Sequence, residues 1–333
     1  MELTRLHSDF RKAPFPYFGG KRSVADEVWR RFGNVPNYVE PFAGSLAVLL
    51  ARPHESKTET VNDLDCYLSN FWRAVQADPE AVARWADYPV SEVDLESRHY
   101  WLVTTGRDAI SRALIDPDYY DAKVAGWWMW GACSWIGTGW CDGAGGWRIE
   151  DGDWINGDAG RGINRQLPHL GDAGMGINRK LPHLGNAGRG EYIRQYMAAL
   201  SARLRDVRIA CGDWSRVLGP SVTHRHGHTA VFLDPPYGEG AMEYSAGGNK
   251  TGIMQDVAAW AVEQGANPLM RIALCGYEGT VDMPADWNVY RWKNRGGYGS
   301  QGDGEGRENA ARECIWFSPH CLGHQASLFD IAA

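Results

Sequence analysis

Ala230-Val-Phe-Leu-Asp-Pro-Pro-Tyr237 is a short apolar run that ends in a carboxylate and two prolines. The run predicts a buried strand. A residue before proline is pushed out of the helical region, so Asp234 and Pro235 must leave that strand extended. Tyr38-Val-Glu-Pro-Phe42, Thr58-Glu-Thr-Val-Asn62, Val207-Arg-Ile-Ala-Cys211, Arg271-Ile-Ala-Leu-Cys275 and Glu313-Cys-Ile-Trp-Phe317 predict further strands. Helical periodicity falls between them, over 23–32, 64–76, 192–205 and 253–264. Such alternation predicts an α/β fold with a mostly parallel sheet covered by helices on both faces. Ligands in these sheets sit at the carboxyl ends of the strands.

At that end Asp234, Pro235, Pro236 and Tyr237 present a carboxylate, carbonyls that no proline N–H can occupy, and an aromatic ring. Two acceptors beside a ring suit a planar exocyclic amine on a base taken out of its stack. A second stretch, Val39-Glu-Pro-Phe-Ala-Gly-Ser-Leu-Ala47, runs from a strand through small residues towards a helix, which lets backbone approach a nucleotide-like ligand. Asn62-Asp63-Leu-Asp65 follows at the end of the next strand. A carboxylate there suits ribose hydroxyls, or equally caps the following helix. No GxxxxGK[ST] occurs, which excludes a P-loop.

Residues 78–190 differ in character. They hold Trp127, Trp128, Trp130, Trp135, Trp140, Trp147 and Trp154, followed by a repeat: residues 157–170 recur as 171–184 with 12 of 14 positions identical. A third copy begins at Gly185 and stops at Gly190. The repeat is either a duplicated loop or a segment that tracks nucleic acid. In the second case Arg161, Asn164, Arg165, Arg179, Lys180 and Arg189 would reach phosphates or base edges. Val124 to Cys141 carries no charge, but its five Trp and four Gly suit a buried or base-facing aromatic cluster better than a membrane span.

Taken in order, Pro16-Tyr17-Phe-Gly19-Gly20-Lys21, EPFAGS (40–45), NDLD (62–65), CGDW (211–214) and DPPY (234–237) resemble the Dam-type (alpha-group) family of adenine-specific DNA methyltransferases. The resemblance implies a Rossmann-like methyltransferase sheet with an inserted target-recognition region, S-adenosylmethionine (SAM) as donor, double-stranded DNA as partner, and a bacterial or phage-encoded origin. It places Tyr17 and Lys21 at the border of the SAM site, Glu40 and Phe42 beside the methionine part, Asp63 on the ribose, and Asp213 with Trp214 at the adenine ring, with Gly19 and Gly44 also among the donor-binding residues. Asp234, Pro235, Pro236 and Tyr237 would hold a flipped adenine for direct in-line transfer to its N6 amino group. Leu46 departs from the pattern, standing where a second glycine is usual. The organisation expected is 1–77 and 191–319 as one catalytic domain, 78–190 as its insert and 320–333 as a tail.

The motifs alone leave open methylation of cytosine N4 or of RNA, and a non-catalytic DNA-binding relic. Gln325-Ala-Ser-Leu328-Phe329 resembles the peptide by which bacterial replication proteins dock on the sliding clamp. The His224-Arg-His226-Gly-His228 loop lacks cysteines at ligand spacing, so no metal is expected. Seven scattered cysteines without a CxxC pair, and a charged N-terminus, predict a reduced, cytoplasmic protein.

The 333 residues carry a net charge of −7, with 44% hydrophobic and 23% charged residues. That composition excludes wholesale disorder and, at face value, a general polyanion binder. The average hides a division. Residues 157–208 hold nine basic against four acidic side chains, and residues 1–35 hold seven against four, leaving −15 for the remainder. Two basic segments on an acidic body suit local backbone binding.

Overall fold

The computed structural model describes residues 12–17, 20–55, 57–112, 116, 118–135, 140–141, 147–150, 153–156, 190–236, 252–292 and 312–323. Its strands are β1 (Asn37–Glu40), β2 (Thr58–Asp63), β3 (Trp147–Glu150), β4 (Asp153–Asn156), β5 (Val207–Cys211), β6 (Thr229–Leu233), β7 (Met270–Tyr277), β8 (Asn288–Arg291) and β9 (Glu313–Phe317). Seven of them form one sheet in the order β5-β2-β1-β6-β7-β9-β8. The first five in that order run parallel, and β9 and then β8 close the edge antiparallel. This is the Rossmann-like α/β sheet that the strand-helix alternation predicts. The chain moves from β1 outward to β2 and β5, then returns to lay β6 on β1's other side. The order therefore reverses between β1 and β6, and a crevice opens at their carboxyl ends.

The helices include α1 (Ala25–Phe32), α2 (Ala47–Leu50), α3 (Cys66–Ala77), α4 (Pro79–Ala86), α5 (Glu92–Trp101), α6 (Ala122–Ser134), α7 (Gly190–Leu204) and α8 (Ile253–Gly265). Alternate strand residues feed two cores. Tyr38, Ala230, Phe232 and Ala273 join Phe32, Leu68 and Phe71 on one side. Val39, Val231, Leu233, Ile272 and Leu274 join Val257 and Ala261 of α8 on the other. Local chemistry starts several helices. Asp65, Asp78 and Asp121 each accept a backbone N–H in the first turn of α3, α4 and α6.

The tryptophan-rich segment belongs to the first of these cores. Trp128 of α6 packs edge-on against Phe15 at 5.0 Å, and Phe15 meets Phe71 at 5.3 Å. A side chain at Gly126 would begin 2.4 Å from Trp85 Cβ, so α6 and α4 cross at a separation that only glycine allows. Buried Arg98 lies between the rings of Tyr88 and Trp130, 4.2 Å from each, and the Lys123 ammonium sits 4.1 Å from Trp101 and 4.3 Å from Trp127. Of the cluster, Trp128 and Trp130 are buried and Trp127, Trp135 and Trp140 half-buried. Beyond it, β3 and β4 form an antiparallel hairpin, registered Trp147 to Asn156 and Glu150 to Asp153. No described helix is long and apolar enough to cross a membrane.

A buried ion cluster ties β2 to the helices. Glu59, 2% exposed, accepts from Arg52 at 3.0 Å and from both Arg203 Nη1 and Nη2 at 2.7 and 2.9 Å. Arg52 also donates to the Val35 carbonyl, and Arg203 to that of Leu49. Removing one partner of a buried pair leaves the other charge stranded. Glu59→Ala should therefore cost about 3–5 kcal/mol in urea unfolding, against about 1 kcal/mol or less for an exposed pair such as Arg112–Asp116.

Candidate functional site

The ends of β1, of β2 with β5, and of β6 meet in the crevice. After β1 the chain turns through Pro41 to Leu46. Glu40 is buried and accepts from the Tyr38 hydroxyl at 2.9 Å. Burial raises the Glu40 pKa well above the carboxylate range, against the Tyr38 hydrogen bond and with help from the charge of Asp234. Phe42 stacks on Trp214 with centroids 6.3 Å apart and planes 23° from parallel. Gly44 has a φ of +46°, its N–H donates to Asp63 Oδ2 at 2.9 Å, and its carbonyl accepts from Trp72 Nε1 at 3.2 Å. A side chain there would begin 2.7 Å from the Tyr17 ring, so the glycine is required twice over. Leu46 is also left-handed, at φ +53°, where glycine would be unstrained. Complete burial of its side chain holds it there.

At the ends of β2 and β5, Asn62 acts as the tie. Its Nδ2 donates to the carbonyls of Pro41 at 3.1 Å and Gly212 at 2.9 Å, joining the loops on either side of β2. The Gly212 N–H returns a bond to the Asp63 carbonyl at 2.9 Å. Asn62 is 1% exposed, and its Oδ1 accepts no hydrogen bond among the described residues. Asp63 Oδ1 accepts from the Asp65 N–H at 2.9 Å. Burial and then the neighbouring Asp65 charge raise the Asp63 pKa to about 6, against the backbone N–H groups of Asp65, Gly44 and Leu64. Asp213 turns its carboxylate to Ser215, accepting from that residue's N–H and Oγ at 3.1 and 2.7 Å.

The third end belongs to β6. Lys21, 5% exposed, places its ammonium 3.0 Å from Asp234 Oδ1, itself 21% exposed. Burial raises the Asp234 pKa, and the charge and hydrogen bond of Lys21 oppose the rise. Phe15 anchors this arrangement from behind, because its packing on α3 and α6 fixes the segment that leads through Tyr17 to Lys21.

The structure thus gathers Tyr17, Gly44 and Asp63 at one point, Phe42 and Trp214 at another, and Lys21 with Asp234 between β1 and β6. Lys21, expected at the donor border, makes its ion pair with Asp234. Pro235 is buried and Pro236 half-buried beside it. Gly19, Tyr237, Arg161, Asn164, Arg165, Arg179, Lys180, Arg189, Gln325, Leu328 and Phe329 lie outside the described residues. Two features escaped the sequence reading. Asn62 was passed over within its motif, although a polar residue on a buried strand end is a signal. The neighbouring sulfurs of Cys66 and Cys211, 3.4 Å apart, become visible only once β2 and β5 are known to pair.

Residues 17–108 match the family model described as D12 class N6 adenine-specific DNA methyltransferase. The match takes in the YFGGK, EPFAGS and NDLD segments and ends before CGDW and DPPY. No curated protein matches the chain.

The raised Asp63 pKa has a sign that can be measured. Between about pH 4 and 6 the folded state holds a proton there that the unfolded chain releases. This stabilising contribution is full below pH 4 and lost as pH rises through about 6. Urea midpoints of the parent should show that fall relative to Asp63→Asn across the same range.

Proposed function

We propose that this chain, a D12 class N6 adenine-specific DNA methyltransferase by its matched segment, moves a methyl group from SAM to the N6 amino group of an adenine flipped out of duplex DNA. The observation that carries the reading is the Asp234 carboxylate, held by Lys21 at the carboxyl end of β6 beside the loop that follows β1.

The residues present fit the donor. Phe42 and Trp214 offer ring faces to an adenine, and Asp63 offers a carboxylate to ribose hydroxyls. The buried, unpartnered Asn62 Oδ1 is a further acceptor at the same strand ends. Gly44 keeps the backbone free of side-chain bulk beside Tyr17. Bound there, SAM would supply a methyl group made electrophilic by its sulfonium.

The chain's own part is positioning and electrostatics. The adenine amino group donates one N–H to the Asp234 carboxylate and the other to the Pro235 carbonyl, which frees the nitrogen lone pair for attack. Lys21 holds that carboxylate in place and keeps it ionised against its burial. Forming the new N–C bond would break the methyl–sulfur bond, whose electron pair would stay on a neutral thioether; the nitrogen would gain positive charge and shed a proton towards Asp234, whose raised pKa suits it as acceptor. DNA affinity rests on the basic segments 1–35 and 157–208, including Arg161, Asn164, Arg165, Arg179, Lys180 and Arg189. Docking on a sliding clamp through Gln325, Leu328 and Phe329 rests on the tail sequence.

Asp234→Asn keeps the shape but donates where an acceptor is needed. It should lower kcat by about 10²–10⁴-fold while leaving the SAM Kd within about threefold, measured by single-turnover transfer and calorimetry. Lys21→Met should move the acidic limb of the rate profile to higher pH, because the carboxylate then protonates more readily. Retained turnover in Asp234→Asn contradicts the assignment.

A further inference from the structure

Cys66 opens α3 directly after the Asn62–Asp65 turn, and Cys211 is the last residue of β5. Asp63 and Cys211 are partners in the parallel register of β2 and β5, which brings the two sulfurs to 3.4 Å although 145 residues separate them. Both thiols are half-buried, so a small oxidant can reach them. A disulfide needs an approach of about 1.4 Å further, since its sulfurs bond at about 2.05 Å. The sulfurs are flanked by the turn carrying Asp63 on one side and the one carrying Asp213 with Trp214 on the other, so closing the bond loads both turns.

We propose that Cys66 and Cys211 form a redox-modification site at which peroxide closes a disulfide that pulls the two donor-binding turns out of position. This rests on the donor-site reading above. The Cys211 thiolate attacks a peroxide oxygen, giving a sulfenic acid and hydroxide. Cys66 then displaces that oxygen, forming the S–S bond. Overall two thiols and one hydrogen peroxide give one disulfide and two waters, with two electrons passing from the sulfur pair to the peroxide.

The choice of attacking thiol follows from the pair. The hydrogen bond from Cys66 and a second from Ser69 hold Cys211 at about pKa 7, below the ordinary thiol range, despite burial and the charges of Asp63 and Asp65. The same hydrogen bond and burial push Cys66 up. Burial raises Cys275, Cys314 and Cys321 instead, the last to about 11. A low-pKa thiol beside a resolving thiol is the arrangement that oxidises selectively and reversibly. In a reducing compartment the pair stays open until an oxidant arrives.

The test uses the full chain, treated with hydrogen peroxide and then alkylated. Mass spectrometry should find a Cys66–Cys211 cross-linked peptide, about 2 Da lighter than the two free thiol peptides, that dithiothreitol reverses. Calorimetry should show SAM binding weakened by about tenfold or more in the oxidised protein and restored on reduction. Cys66→Ser, or Cys211→Ser if the first does not fold, should keep after peroxide the SAM affinity it had before. Absence of the cross-link overturns the site, and a cross-link with unchanged SAM affinity overturns the switch. Failure of the reduced parent to bind SAM overturns the donor-site reading instead, and the cross-link still reports on the sulfur pair.

Discussion

A lysine ammonium that is almost wholly buried must find a counter-charge, because an unpaired ion loses far more in leaving water than packing returns. Lys21 finds Asp234, and that pairing fixes the relation between two distant parts of the chain. It joins the segment before the first strand to the exit of β6, across the place where the sheet order reverses. The charge and hydrogen bond of Lys21 oppose the rise in the Asp234 pKa that burial causes. Everything else in the crevice is arranged around that fixed point.

The supports for the pair come from farther away than the motifs suggest. Phe15 is clasped by Phe71, Trp72 and Trp128, so a helix of the inserted region braces the segment that delivers Tyr17 and Lys21. The Tyr196 hydroxyl holds the Lys12 carbonyl from α7 at 2.6 Å. Asn62 ties two loops together in the neighbouring half of the crevice. Helices α4 and α6 of the 78–190 segment thus share one core with the sheet.

β6, β7 and β9 were legible in the sequence because they are buried along almost their whole length and read as mainly apolar runs punctuated by turns. Asn288-Val-Tyr-Arg291 was not. β8 is a short edge strand, half exposed, with too few apolar residues to stand out. The hairpin of β3 and β4 was missed as well, although Asp151-Gly152 between Trp-Arg-Ile-Glu and Asp-Trp-Ile-Asn is a hairpin signal. Site residues carried by a motif could be named in advance. Contacts made by strand pairing could not, since nothing in the local sequence of Cys66 or Cys211 says that β2 and β5 are neighbours. Nor does composition tell a packed tryptophan from a base-facing one. The position of Leu46 was legible, and its left-handed backbone shows that the fold bends there whether or not glycine is present.

We propose the crevice between β1 and β6 as the place where the N6 amino group of adenine in duplex DNA is methylated. The most direct test is to incubate the protein with duplex DNA and SAM carrying an isotopically labelled methyl group, then digest the DNA to nucleosides and identify the labelled product by mass spectrometry. Label is expected in N6-methyldeoxyadenosine. Label confined to N4-methyldeoxycytidine, or none in the DNA, would contradict it.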